Sequence, residues 1–130
     1  PLHRCMLKTA SSNTGDRMSF TKKFAATRSN LRTLRKAIPD TFAGFMSMEK
    51  AASADGALSH KEKELIAIGI AVALRCEDCI TSHVGACHRA GVTRAELAEA
   101  LGTAIQMSGG PGLMYASKAL AAFDEVQATS

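Results

Sequence analysis

Cys76, Cys79, His83, Cys87 and His88 lie within the stretch CEDCITSHVGACHRAG, which holds three of the four cysteines and two of the four histidines of a 130-residue chain. Such a set can bind a metal, run dithiol–disulfide chemistry, or be no more than the inward face of a packed helix, because cysteine is among the most often buried residues. On a helix, at about 100° per residue, Cys76, Cys79, His83 and Cys87 fall within roughly an 80° arc, and His88 lies off that face. For Cys87 alone, core packing is the preferred reading. Zinc fits the spacing less well. C-x2-C-x3-H-x3-C is similar to a zinc knuckle, but each later interval is one residue short. On a helix, Cys76 and Cys87 would also stand about 16 Å apart, so all four could not surround one ion, although three with an outside ligand could.

Dithiol chemistry uses the same spacing better. Residues at i and i+3 of a helix have Cα atoms about 5 to 6 Å apart, within the range a disulfide accepts, so Cys76 and Cys79 can close a bond with little movement. His83 sits one turn beyond Cys79 and can take its proton directly or through a water, while a helix N-terminus favours the resulting thiolate. A carboxylate is then expected to orient the histidine. Glu64 opens the apolar segment before the cysteines, and an antiparallel hairpin turning near Arg75 would carry it toward the second and third turns of the next helix. Glu62 is placed equally well for the other role open to either residue, a first-turn acid favoured by the helix dipole, and spacing does not choose between them.

The elements that must position these residues read as helices. The chain is 46% hydrophobic and only 5% aromatic, with abundant alanine, which favours closely packed helices over sheets, and its length suits one domain with its own core. Residues 1–18 show no periodicity and are read as a disordered leader or a cloning remnant, so His3 and Cys5 are set aside; residues 19–130 form the domain. A first helix is expected from Ser19 toward Pro39, although its basic, acid-free run could also pass for a transit peptide. A second follows in DTFAGFMSMEKAASA, with Phe42, Phe45, Met46 and Met48 inward and an end near Gly56. Ser59 and Glu62 form a capping box that opens a buried helix to about Arg75. The cysteine helix runs from Cys76 to Ala90 and stops at Gly91. Thr93 and Glu96 form a second capping box, Gly109-Gly110 break that helix, and Pro111 suits the first turn of the last one. The expectation is an all-α fold of about six helices with the Cys-x-x-Cys at the start of a central one. Gly109 to Gly112 could be taken for a phosphate cradle, but no Lys-Ser/Thr follows and no strand precedes, so a helix break is preferred.

Charge and hydropathy narrow the function further. The formal charge of +4 is uneven, because residues 1–39 carry nine Lys or Arg against Asp16 alone, whereas residues 40–130 carry seven against eleven acids. No aromatic platform accompanies the basic third, so a solvated helix face is preferred to a nucleic-acid surface. The longest apolar run, Leu65 to Leu74, is too short to span a bilayer, and the first twenty residues contain no secretory signal. A cytoplasmic protein that keeps its cysteines as thiols, with no membrane and no nucleic-acid partner, is expected.

Glu64, Cys76, Cys79 and His83 form the pattern E-x11-C-x2-C-x3-H, which resembles that of the AhpD-like alkylhydroperoxidases within the carboxymuconolactone decarboxylase family. The resemblance extends from about Leu31 to Val126, through GALSHKEKELIAIGIAVALRCEDCITSH, AGVTRAELAEAL and MSGGPGLMYASKAL. It implies an all-helical fold, homotrimers or homohexamers, and a hydroperoxide-reducing dithiol that works without haem, flavin or metal. It further implies that Cys79 attacks the peroxide, that Cys76 resolves the product into a disulfide, and that Glu64 and His83 relay protons. An external dithiol, from a lipoylated or thioredoxin-like protein, would complete the cycle. The chain departs from the better-studied peroxidases at Asp78, where they carry a histidine, and Glu77 adds a second acid; both oppose thiolate formation. Two alternatives remain. One is a decarboxylase like the family's namesake, which would use His83 and a carboxylate without a dithiol; the other is a non-enzymatic redox-sensing or zinc-binding helical oligomer.

Overall fold

Capping chemistry sets where the helices begin. In a computed structural model describing residues 19–130, the elements are α1 (Phe20–Ala37), α2 (Pro39–Ser53), α3 (His60–Ala73), α4 (Glu77–Arg89) and α5 (Arg94–Ala128). The leader expected at residues 1–18, with His3 and Cys5, lies outside the described residues. Both capping boxes form: Ser59 with Glu62 starts α3, and Thr93 with Glu96 starts α5. Pro39 takes the first position of α2, where a missing N–H costs nothing. Gly91 ends α4 at φ 80°, with its N–H donated to the His88 carbonyl and that of Val92 to the Cys87 carbonyl, closing the left-handed turn that a glycine there permits.

The fold is all-α, as expected, and the helix count turns on Gly109. The glycine pair breaks the helix as read from the sequence: Gly109 takes φ 68°, ψ −148°, a non-helical conformation open almost only to glycine, and a second helical arm of α5 follows through Pro111. The arms before and after this kink correspond to the two separate helices read from the sequence.

The core lies between α3, α4 and α5. Ile68 and Val72 of α3, Ile80 and Val84 of α4, and Leu97 and Phe123 of α5 are all fully buried. A line of small residues, Ala116, Ala119 and Ala122, lets the second arm of α5 lie close to its neighbours. α1 lies along α4 and the end of α5, and the Glu125 carboxylate accepts hydrogen bonds from the Phe20 and Thr21 backbone N–H groups and the Thr21 hydroxyl.

α2 departs from expectation. It buries none of its residues, and Phe45, Met46 and Met48 are 57, 47 and 60% exposed instead of facing inward. The physical reason is that, among the described residues, α2 touches α1 and the start of α3 alone, so no further layer of them covers its apolar side. The helix also ends at Ser53, before Gly56.

Candidate active site

The α3–α4 connection builds the site. α3 closes at Leu74, and Arg75 then adopts a left-handed φ of 56°, which costs a residue with a Cβ about 1 to 2 kcal/mol. This turn places Cys76 at the N-cap of α4, not inside the helix, with its backbone N–H donated to the Ala71 carbonyl. Cys76 and Cys79 are joined by a disulfide across a Cα–Cα distance of 5.2 Å, within the span read from their spacing. The Cys79 backbone N–H donates to Cys76 Sγ at 3.3 Å, the hydrogen bond an N-cap side chain ordinarily accepts.

The hairpin brings Glu64 to His83, the one of the two candidate acids that the structure pairs with it. Glu64 Oε2 is 2.8 Å from His83 Nδ1, and Glu64 is only 7% exposed. A carboxylate accepts here, so Nδ1 carries the proton and Nε2 is left with the lone pair, the tautomer a base needs. Glu62 is occupied elsewhere, its carboxylate taking the Ser59 N–H at 2.7 Å, which resolves the choice between the two acids. Cys87 is fully buried, and burial, followed by the charge of Glu64, pushes its thiol up to about 12; it is inert core. His88 stays off the face and meets the Phe123 ring edge-on at 6.1 Å.

Three residues were not read from the sequence. His60, the first residue of α3, places Nε2 3.8 Å from Glu64 Oε1 and Nδ1 2.8 Å from the Ser53 carbonyl, so the buried carboxylate has an imidazole on each side. Lys23 of α1 and Lys118 of α5 converge on Glu77 at 2.9 and 3.3 Å. The Lys23 ammonium, foremost, holds the Glu77 carboxyl below the ordinary carboxylate range against the opposing effect of burial, and Lys118 adds to the lowering. Asp78 accepts a 2.7 Å hydrogen bond from the Thr27 hydroxyl of α1. Short-range periodicity carries no mark of these partners; the i, i+4 spacing of His60 and Glu64 is the one signal that was present.

Beside this set, a cavity of about 280 Å³ is lined by Glu49, Ser53, His60, Glu64, Ser82, His83, Ala86, Arg89 and Ala90, and so opens onto the Glu–His pair but not onto the sulfurs. The arrangement can therefore cycle a dithiol beside a base with a fixed tautomer, and it can present that base and its acid to a small polar molecule.

A helical domain with a Cys-x-x-Cys at the head of one helix and a buried Glu–His pair from a helical hairpin is an architecture with known relatives. The carboxymuconolactone decarboxylase family model matches residues 39–122, and the chain belongs to that family. An uncharacterized protein of Cupriavidus necator is 47% identical over 95 residues, 73% of this chain and 84% of that protein. Uncharacterized protein 4 of the cox locus of Paracoccus denitrificans is 39% identical over 82 residues, 63% of this chain and 74% of that protein. Among solved structures, a carboxymuconolactone decarboxylase family protein of Legionella pneumophila in its apo form superposes with a TM-score of 0.80 at 45% identity, covering 82% of this chain and 95% of its own. A carboxymuconolactone decarboxylase family protein of Thermotoga maritima gives a TM-score of 0.74 at 28% identity, covering 83% of this chain and 92% of its own.

Proposed function

We propose that the protein is a thiol-dependent hydroperoxide reductase of the AhpD-like kind, cycling Cys76 and Cys79 between dithiol and disulfide. The observation that carries this reading is the disulfide at the head of α4, one helical turn from a histidine whose tautomer a buried glutamate fixes. In the reduced protein His83 takes the Cys79 proton, and the Cys79 thiolate attacks the terminal peroxide oxygen. The O–O bond breaks, the alcohol leaves with a proton returned through His83, and Cys79 becomes a sulfenic acid. The Cys76 thiol then attacks that sulfur, releasing water and forming the disulfide. An external dithiol reduces it by attack on Cys79, because Cys76 leaves as a thiolate that already accepts the Cys79 N–H. The reductant is a dithiol of the lipoyl or thioredoxin type, and the working unit is a homotrimer or homohexamer.

The test is stoichiometric. Reduced protein mixed with cumene hydroperoxide should consume one equivalent and form the Cys76–Cys79 disulfide. Glu64→Gln, which keeps a partner for Nδ1 but removes the charge, should slow the reaction about 10- to 100-fold. Full peroxide consumption by Cys79→Ser would disprove the mechanism.

The cavity that opens onto His60, Glu64 and His83 but not onto the cysteines favours one second reading, the decarboxylation for which the family is named. In that case a Cys76→Ser/Cys79→Ser protein would keep full activity on a carboxymuconolactone.

A further inference from the structure

Glu77 and Asp78 stand between the two cysteines, and two carboxylates at that position oppose a thiolate on Cys79. The structure sets two cations against them. Lys23 reaches Glu77 Oε1 from α1 and Lys118 reaches Oε2 from α5, one ammonium on each oxygen, while Asp78 holds the Thr27 hydroxyl. The two lysines come from helices at opposite ends of the chain and meet on a residue inside the disulfide loop. Lys118 also lies 4.9 Å from the centre of the Tyr115 ring, which fixes its stem over the second arm of α5. The four groups, Glu77, Asp78, Lys23 and Lys118, sum to zero charge. Among the described residues, Arg75 immediately precedes the dithiol in the chain, and His83, paired with Glu64 of α3, lies one helical turn beyond Cys79 on α4.

We propose that Lys23 and Lys118 are positioning residues for the dithiol: acting through Glu77, they cancel the charge of the acidic pair and so keep the Cys79 thiolate accessible. This rests on Cys79 being the reactive thiol of the proposed reductase. It also accounts for how the chain carries two acids, Glu77 and Asp78, between its cysteines. The acids serve to dock α1 and α5 onto the head of α4, and the lysines that dock there remove the electrostatic cost to the thiol.

The experiment reads the thiolate directly. In a Cys76→Ser background, the rate of alkylation of Cys79 by iodoacetamide is followed against pH for Lys118→Met, Lys23→Met, Glu77→Gln and the Glu77→Gln/Lys118→Met pair. Each lysine variant should raise the Cys79 pKa by about 0.3 to 0.5 unit, the effect of a solvent-screened unit charge nearby. Glu77→Gln should lower it by a similar amount, the pair should return it to the starting value, and Lys118→Arg should leave it unchanged. A purely structural clamp would lower the melting temperature in all these variants without moving the thiol in opposite directions. Superimposable alkylation profiles, or a rise in Glu77→Gln, would overturn the proposal. Because iodoacetamide needs no peroxide chemistry, shifted profiles in a protein that consumes no hydroperoxide would sink the reductase reading and keep the lysine role. Peroxide turnover with unshifted profiles would do the reverse.

Discussion

At the scale of single residues, Arg75 is the one non-glycine with a left-handed backbone among the described residues, and it immediately precedes the dithiol. Its N–H donates to the Val72 carbonyl at 3.1 Å, so the turn is a helix C-terminus of the kind glycine normally closes. Arg75→Gly should therefore stabilise the protein by about 0.5 to 1 kcal/mol, the relief of the left-handed conformation less the extra backbone entropy of glycine. The midpoint of urea unfolding checks this, and a loss of stability would show that the arginine side chain contributes more than its backbone costs. The same scale shows what could be read in advance. Cys76, at the N-cap, and Cys79 and His83, within α4, follow from one helical period, whereas the hairpin brought both Glu64 and Glu62 into reach and spacing did not choose between them. His60 was missed because its relation to Glu64 matters only once that carboxylate is known to be buried. Lys23 and Lys118 were missed because they act through docking contacts between residues 41 or more positions apart.

Among the elements, α1 is held by three carboxylates, Glu125, Glu77 and Asp78, and by Phe20 packed against the core. Glu125 accepts its first backbone N–H groups and Glu77 pairs with Lys23. Despite partial burial, the Thr21 and Phe20 hydrogen bonds keep Glu125 below the ordinary value of 4.5, and Lys23, then Lys118, do the same for Glu77. A carboxyl whose folded value is depressed adds stability above its ordinary pKa and loses it as pH falls through the lower one. The docking of α1 should accordingly weaken as pH falls below about 4.5, before the core opens. Hydrogen exchange corrected for intrinsic rates should show Phe20–Ala37 losing protection ahead of α3 to α5, and Glu125→Gln should abolish much of that acid dependence. Exchange in α1 that tracks the core at every pH would disprove it. α1 was legible as a helix running from Ser19 to a stop at Pro39, but its mode of attachment was not. α2 was misread because hydrophobic spacing reveals an apolar face without revealing what covers it.

At the scale of the whole molecule, the described residues leave an apolar surface that they do not themselves cover. Ile66, Ile70 and Leu74 on α3 are 50, 54 and 71% exposed, and Met107, Leu113 and Met114 on α5 are 78, 54 and 66% exposed. Between the two helices lies an apolar cavity of about 410 Å³ lined by Leu65, Ile66, Gly69, Ile70 and Met107 among others, and the Phe45–Met48 face of α2 adds to the uncovered area. Contiguous apolar surface of this kind is characteristic of an interface, and burying each half-exposed side chain is worth about 1 kcal/mol. Six such residues on each of two facing surfaces contribute on the order of 10 kcal/mol before the cost of association, and the apolar face of α2 adds to that driving force. The expected result of light scattering at micromolar concentration is a closed homo-oligomer, with Ile70→Glu shifting it toward monomer because a charge would have to be buried in the contact. A wild-type protein that elutes as a monomer at that concentration would refute the interface. α3 also joins this surface to the site, since Glu64 turns inward two residues before Ile66 turns out. If subunit contact holds α3 in place, monomeric Ile70→Glu should keep its Cys76–Cys79 disulfide but react more slowly with hydroperoxide. Unchanged turnover would show that each subunit completes its site alone.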